Sequence, residues 1–387
     1  MARFRELIIA FIISIVFVAN TNAKSPPPGT GTSDQPANIL IMLDNSGSMR
    51  ARVRSSGALY GPSQTQTDSA GNIYILEYSY NRIQKYNSAG TFIKSFGSYG
   101  YGCNQWRYSY DFAIHNDRIY ITSMYDRQIK QLTLDGGCIA QSSRNLWGYN
   151  YSYGIAVTNN YIFIRTNNRE VLAFRNNNSM SRTCSRSFNR YQFSSGYFLE
   201  SNNAGTKLVG GNFDYYNSSF SELNIGANGC VSYSKQTPRS YSSSNGYNNY
   251  AMGVDYDSSG NIYGISYYQH RLQKFNSSFN YTARTGSYSR SGPFYYPYGV
   301  HVDKNNKIYV SDWNNSAVRV FNTSLQLQSS IGGTGGTRLD VSKTVIKKIV
   351  SNTDLTSGAN FGLMEWGSYP RMRVNISDTG AKTIYTN

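Results

Sequence analysis

Three sets of residues in the sequence have types and spacing that could do chemistry. The first is Asp44-Asn-Ser46-Gly-Ser48, where one carboxylate and two hydroxyls alternate as hard oxygen donors suited to Mg²⁺, or to Ca²⁺ or Mn²⁺. It follows Asn38-Ile-Leu-Ile-Met-Leu43, an apolar run that reads as a buried strand, so the donors sit in the loop leaving that strand. The second set is His115, His270 and His301, groups that a metal-dependent hydrolase or lyase would bring together; serial Asp such as Asp255-Tyr-Asp257 could suggest calcium, but without EF-hand spacing they read as turn residues. The third is a series of aromatic and basic clusters: Tyr99, Tyr101, Trp106 and Arg107; Trp147, Tyr149 and Tyr151; Arg190 and Tyr191; Arg239, Tyr241, Tyr247 and Tyr250; Arg290, Tyr295 and Tyr296. Aromatic rings stack on the apolar faces of sugars while neighbouring guanidinium and amide groups satisfy hydroxyls, so such clusters suit glycans.

The elements that would carry these residues are visible as a repeat. Asp68-Ser-Ala-Gly-Asn-Ile-Tyr74, Asp257-Ser-Ser-Gly-Asn-Ile-Tyr263 and Asp303-Lys-Asn-Asn-Lys-Ile-Tyr309 are copies of one hairpin, followed by Arg82-Ile-Gln-Lys-Tyr86, Arg271-Leu-Gln-Lys-Phe275 and Ala317-Val-Arg-Val-Phe321. Weaker copies place the same phase at Tyr120, Phe163 and Val209, giving steps of 46, 43, 46, 54 and 46 residues from Tyr74 to Tyr309. Units of that length, each with about four short alternating strands separated by Gly, Asn, Asp and Ser, are the signature of β-propeller blades. The consensus resembles the NHL repeat, which implies a six-bladed propeller with blades over about 62–333. The aromatic and basic clusters all fall in the linkers between blades, which puts them on one rim of the disc. The three histidines fall at different phases, which argues against a shared catalytic centre and for a protein that is not an enzyme.

Composition agrees with a β-rich surface protein. The chain has 387 residues, only 15% charged but 15% aromatic, with 35 Tyr and 35 Gly, which suits pleated surfaces and tight turns and excludes a helical bundle or coiled coil. A net charge of +16 favours an anionic partner. Residues 1–23 read as a secretory signal peptide: basic Arg3 and Arg5, an apolar run Leu7–Ala19, and a small-residue end at Ala23. Export turns the positive charge from a nucleic-acid signal into a property of an outward-facing surface, and the mature chain is expected to have no transmembrane segment. Cys103, Cys138, Cys184 and Cys230 fit an oxidising compartment, with all three pairings open, while the absence of CxxC argues against zinc.

The flanks of the propeller carry a second resemblance. Leu43-Asp-Asn-Ser-Gly-Ser-Met49 after its strand resembles the metal-ion-dependent adhesion site of von Willebrand factor A (vWA) domains. Thr337-Arg-Leu-Asp-Val-Ser-Lys343 through Val350 resembles the helix that follows that site, and Asn360-Phe-Gly-Leu-Met-Glu-Trp366 the next strand. On the helix, Val341, Val345 and Ile349 recur at i, i+4 beside Leu339, Ile346 and Val350. The expected fold is therefore mainly β, a six-bladed NHL-like propeller inserted into a partial α/β, Rossmann-like vWA domain. Its divisions are signal peptide 1–23, linker 24–37, first strand and metal motif 38–49, propeller 50–336, and vWA continuation 337–387. In that family a later Thr and Asp complete the cation shell; both are expected beyond Asn387, so the chain reads as truncated there.

Together these features resemble the bacterial type IV pilus tip adhesin and assembly family. The resemblance implies a periplasmic and then cell-surface adhesin, with minor pilins and a surface glycan or protein receptor as partners. Asp44, Ser46 and Ser48 would hold Mg²⁺ and leave a position for a partner's acidic residue, while nucleic acid is not an expected partner. The alternatives are a pilus-assembly component without a receptor and a propeller hydrolase or lyase.

Overall fold

A computed structural model of the chain describes residues 37–44, 57–239, 244–287, 293–332, 338–351, 359–366 and 370–377. It divides into two units, residues 52–336 and the combined flanks 1–51 and 337–387.

The larger unit is a propeller of six four-stranded antiparallel sheets, each formed by four strands in chain order. The blades span residues 62–96, 112–141, 152–187, 200–236, 251–285 and 297–332. Their first strands, Pro62–Thr67, Phe112–His115, Ser152–Val157, Glu200–Ser201, Ala251–Tyr256 and Pro297–Val302, pack against one another in a closed ring and so surround the axis. The approach is too close for some side chains. A Cβ at Gly253 would stand 2.7 Å from the Val300 amide nitrogen, and one at Gly299 2.3 Å from Gln64 Oε1.

The core lies between blades. A strand turns successive side chains to opposite faces, and here both faces meet another blade, which is why second strands read as unbroken apolar runs. In Ile73-Tyr-Ile-Leu76, Ile73 and Ile75 join Tyr309, Val318 and Val320 of the sixth blade, whereas Tyr74 and Leu76 join Phe112, Ile119 and Leu132 of the second. Blade six meets blade one through the first of these clusters, so the ring closes by side-chain burial with no strand shared between the two.

The repeated hairpin has a hydrogen-bonding reason. Asp68 Oδ1 accepts the backbone N–H groups of Ala70 and Asn72, while its Oδ2 accepts the Asn72 side-chain amide and the Tyr74 hydroxyl at 3.0 Å. Asp257 does the same with Ser259, Asn261 and Tyr263, and Asp303 accepts the backbone N–H groups of Asn305 and Lys307 and the Tyr309 hydroxyl without a side-chain amide. The carboxylate imposes the turn, and the buried phenol finds a strong acceptor there.

Two disulfides form, Cys103–Cys138 and Cys184–Cys230. The first ties a linker to the outer strand of blade two; the second joins the outer strand of blade three to the turn before the outer strand of blade four. Outer strands bury little, as in the exposed Arg182, Ser185 and Arg186, so these cross-links hold the periphery where packing does not.

The smaller unit is a three-stranded sheet with a helix, Arg338–Val350. Strand Ala37–Asp44 pairs in parallel with Ala359–Trp366, which pairs antiparallel with Pro370–Ser377. Val350 and Phe361 are buried together, with Ile41, Ile346 and Leu363 against them. Two expectations need correction here. Val345, assigned to the buried helix stripe, is 49% exposed, because the contact runs through Ile346 and Val350. The first strand, expected to be buried, leaves Met42 67% exposed. No described helix is long and apolar enough to cross a membrane.

Removing the inter-blade cross-link should be felt by the whole ring. Cys184→Ala with Cys230→Ala is expected to lower unfolding stability by about 2–4 kcal/mol, read from urea denaturation of the oxidised proteins.

Candidate functional site

The propeller brings its aromatic side chains to the end of the axis where linkers enter the first strands. The turns between second and third strands reach the same end, since each antiparallel strand reverses direction. Between them they close a circuit of seven rings. Tyr78 stacks on Tyr110 at 4.2 Å between centroids, Tyr110 meets Tyr197 at 4.7 Å, and Tyr197 meets Phe213 at 5.3 Å. Phe213 then meets Tyr267 at 5.8 Å, Tyr267 meets Tyr298 at 5.4 Å, Tyr298 stacks on Trp313 at 4.5 Å, and Trp313 returns to Tyr78 at 6.1 Å. Tyr153 sits against both Tyr110 and Tyr197. All these rings are half-buried, so each has a packed face and an accessible part. Burial and the surrounding phenols push the hydroxyls of Tyr78, Tyr110, Tyr153, Tyr267 and Tyr298 up, and that of Tyr197 to about 12. They remain neutral donors and acceptors at any physiological pH.

Supporting groups hold the linkers in place. Arg165 is fully buried; its guanidinium donates to the carbonyls of Ser194 at 2.7 Å and Phe198 at 3.2 Å and to Asn212 Oδ1 at 3.1 Å. It also lies 3.9 Å from the Phe193 ring centroid, and burial pushes its pKa down to about 9. The segment so fixed carries Tyr197. Lys130, likewise buried, donates to the carbonyls of Tyr101 and Gly102 and is pushed down to about 8 by burial.

The clusters expected on this rim separate into surface and core. Arg107 donates to the hydroxyls of Tyr99 and Tyr101, each at 3.1 Å, and pairs with Asp126, so these three rim residues act as one exposed patch. Arg190 pairs with Asp214 at 2.9 Å and lies over Tyr216, while Arg239 lies over Tyr191. Tyr250 packs on Phe213 and Tyr268, Tyr296 on Tyr267, and Tyr295 and Tyr296 enclose His270. Tyr151 packs on Tyr125, Tyr247 is half-buried with its carbonyl held by Gln273, and Tyr149 is 95% exposed. Trp106 and Trp147 are corrections: they are 0% and 6% exposed and fill blade interfaces, because an indole in a linker finds more apolar area beneath the loop than above it. Tyr241 and Arg290 lie outside the described residues.

The sequence reading missed Tyr78, Tyr110, Tyr153, Tyr197, Phe213, Tyr267, Tyr298 and Trp313. A signal was there. Tyr110, Tyr153, Tyr197 and Tyr298 each stand two residues before a buried residue in or next to an inner strand, Phe112, Ile155, Leu199 and Val300, while Tyr78, Tyr267 and Trp313 each follow the last residue of a second strand and Phe213 stands two residues beyond one.

Asp44 ends its strand opposite Trp366 in the register, and Ser46 and Ser48 lie outside the described residues. Among the described residues no group of three His, Cys, Asp or Glu is placed to hold a metal ion. His270 belongs to the aromatic end, while His301 bridges Asp255 and Thr67 and His115 pairs with Asn159 at the other end of the axis.

The NHL repeat family matches residues 294–321, the end of a linker and the first three strands of the sixth blade. No curated protein is matched in sequence. Among solved structures, a streptogramin B lyase aligns over 84% of this chain and 96% of its own, with 12% identity and a TM-score of 0.50. A Bacteroides thetaiotaomicron protein of unknown function aligns over 71% and 74%, with 11% identity and a TM-score of 0.53. Hydrazine synthase of Kuenenia stuttgartiensis aligns over 73% and 89%, with 10% identity and a TM-score of 0.50. At these identities the likeness is one of fold.

The division between core and rim is measurable. Trp106→Ala should cost about 3–5 kcal/mol through the cavity it leaves, whereas Tyr149→Ala should change stability by less than about 0.5 kcal/mol, both read by thermal and urea denaturation.

Proposed function

We propose that the protein is an exported, non-enzymatic surface-binding protein of the type IV pilus tip kind, whose propeller engages a glycan through its aromatic end. The observation that carries the reading is the closed ring of seven aromatic side chains, flanked by the Arg107, Tyr99 and Tyr101 patch. Neutral phenols and an indole around one axis offer flat apolar faces for sugar rings and hydroxyls for sugar hydroxyls. The surplus of positive charge raises encounter rates with anionic surfaces.

The flanks support the pilus part of the reading. The flanks form a parallel pair of strands with a helix between them in sequence and an antiparallel strand outside the pair, an α/β arrangement that supports the vWA-like reading of their residues. On this reading Asp44, Ser46 and Ser48 contribute oxygen donors to Mg²⁺, and an acidic residue of a partner takes an open position. Two disulfides suit a protein that matures outside the cytosol.

The test is a glycan array probed with the full chain. A defined glycan class should bind, and Tyr125→Ala and Tyr268→Ala, both surface rings beside the circuit, should each weaken it about threefold to tenfold. No glycan bound, together with loss of pili in a deletion strain, would turn the reading to an assembly component.

A further inference from the structure

The end of the axis opposite the aromatic circuit, where inner strands finish and first hairpins turn, holds a cavity of about 470 Å³. Gln66, His115, Glu200, Asp255 and His301 line it among other residues, and no Lys or Arg does, although the chain contains 37 of them. The carboxylates there are not equivalent. Asp255 is fully committed: its Oδ1 accepts the Tyr256 N–H at 2.7 Å, and its Oδ2 the Val302 N–H at 2.8 Å beside His301 Nδ1 at 3.1 Å. Asp111, just above, accepts the N–H groups of Ile155 and Leu199 and the Gln64 amide. Glu200 differs. It is only 7% exposed, its Oε1 accepts both Gln64 Nε2 at 3.0 Å and Gln66 Nε2 at 2.8 Å, and its Oε2 has no partner among the described residues.

We propose that this cavity binds a small ligand carrying a protonated amine, with the free oxygen of Glu200 as its counter-charge. A buried carboxyl group lacking a cationic neighbour is costly to ionise, and a wall free of Lys and Arg leaves that role to a ligand. The cavity has the size range of small-molecule sites. Burial, with Asp255 and Asp111 adding repulsion, pushes the Glu200 carboxyl well up and so favours its protonated form, and burial pushes Asp111 up to about 8. The charged and titratable groups facing it are Asp111, Asp255, His115 and His301; His301 turns one nitrogen to Asp255 and the other to Thr67, and His115 pairs with Asn159. When an ammonium group enters, Glu200 releases its proton to solvent and the N–H bonds of the ligand take its place. Binding is therefore coupled to loss of one proton and strengthens as pH rises.

Calorimetric titration of the full chain with putrescine and with neutral 1,4-butanediol, in phosphate between pH 6 and 8.5 at constant ionic strength, tests this. Putrescine should bind and butanediol should not, with the affinity for putrescine rising as pH increases. Glu200→Gln, which keeps shape and hydrogen-bonding atoms, should weaken putrescine at least about tenfold and flatten the pH dependence. Equal binding of butanediol, an unaltered Glu200→Gln titration, a response to calcium but not putrescine, or no heat up to about 10 mM putrescine would each overturn the proposal. The wild-type comparison of the two ligands decides it even if the variant does not fold.

Discussion

Burial of one blade against the next is the interaction on which the rest of this molecule depends. An antiparallel sheet with apolar side chains on both faces is insoluble alone, and each blade here is of that kind: Ile73 and Ile75 need the sixth blade as much as Tyr74 and Leu76 need the second. The ring must therefore close, and it closes without an exchanged strand, through Leu59, Ile73, Ile75 and Tyr86 against Tyr309, Val318, Val320 and Ile331. Polar pegs add direction to that contact, with Thr65 bonded to Ser311 and Thr67 to His301 across the seam.

Around the axis the same close packing forces polar groups inside. Inner strands approach until Gly253 and Gly299 admit no Cβ, and carboxylates such as Asp111 and Asp255 hold neighbouring blades by accepting their backbone N–H groups. Such bonds are strong in a low dielectric and expensive to leave unmade. The two ends of the axis thus acquire opposite characters. One is built from linkers and turns that supply neutral phenols and an indole; the other is built from strand ends and hairpins that supply carboxyl, amide and imidazole groups.

Much of this organisation was legible in the residues. The Asp…Gly-Asn-Ile-Tyr copies betray the blades because each residue in them answers a local demand: Asp for the turn, Tyr to cap it, alternating apolar positions for two interfaces. The parallel pairing of Ala37–Asp44 with Ala359–Trp366 is anticipated only through the resemblance of the flanks to a vWA sheet, since two apolar runs far apart in the chain do not by themselves say that they are neighbours. The rim was read less well. Trp106 and Tyr99 share one linker and one composition, yet one is core and the other surface, since the folding of a loop over its own blade is not encoded in a period.

The sequence determined the blade count, the repeated hairpin and its turns, since these depend on alternation and turn chemistry within a few tens of residues. Only the tertiary structure decided which cysteines pair, which rings form the seven-membered circuit, and that Glu200 shares a cavity with His115, Asp255 and His301. Those are relations between blades, set by the radius at which six sheets pack around an axis, and a repeat carries phase along the chain but no information on what faces it across the ring.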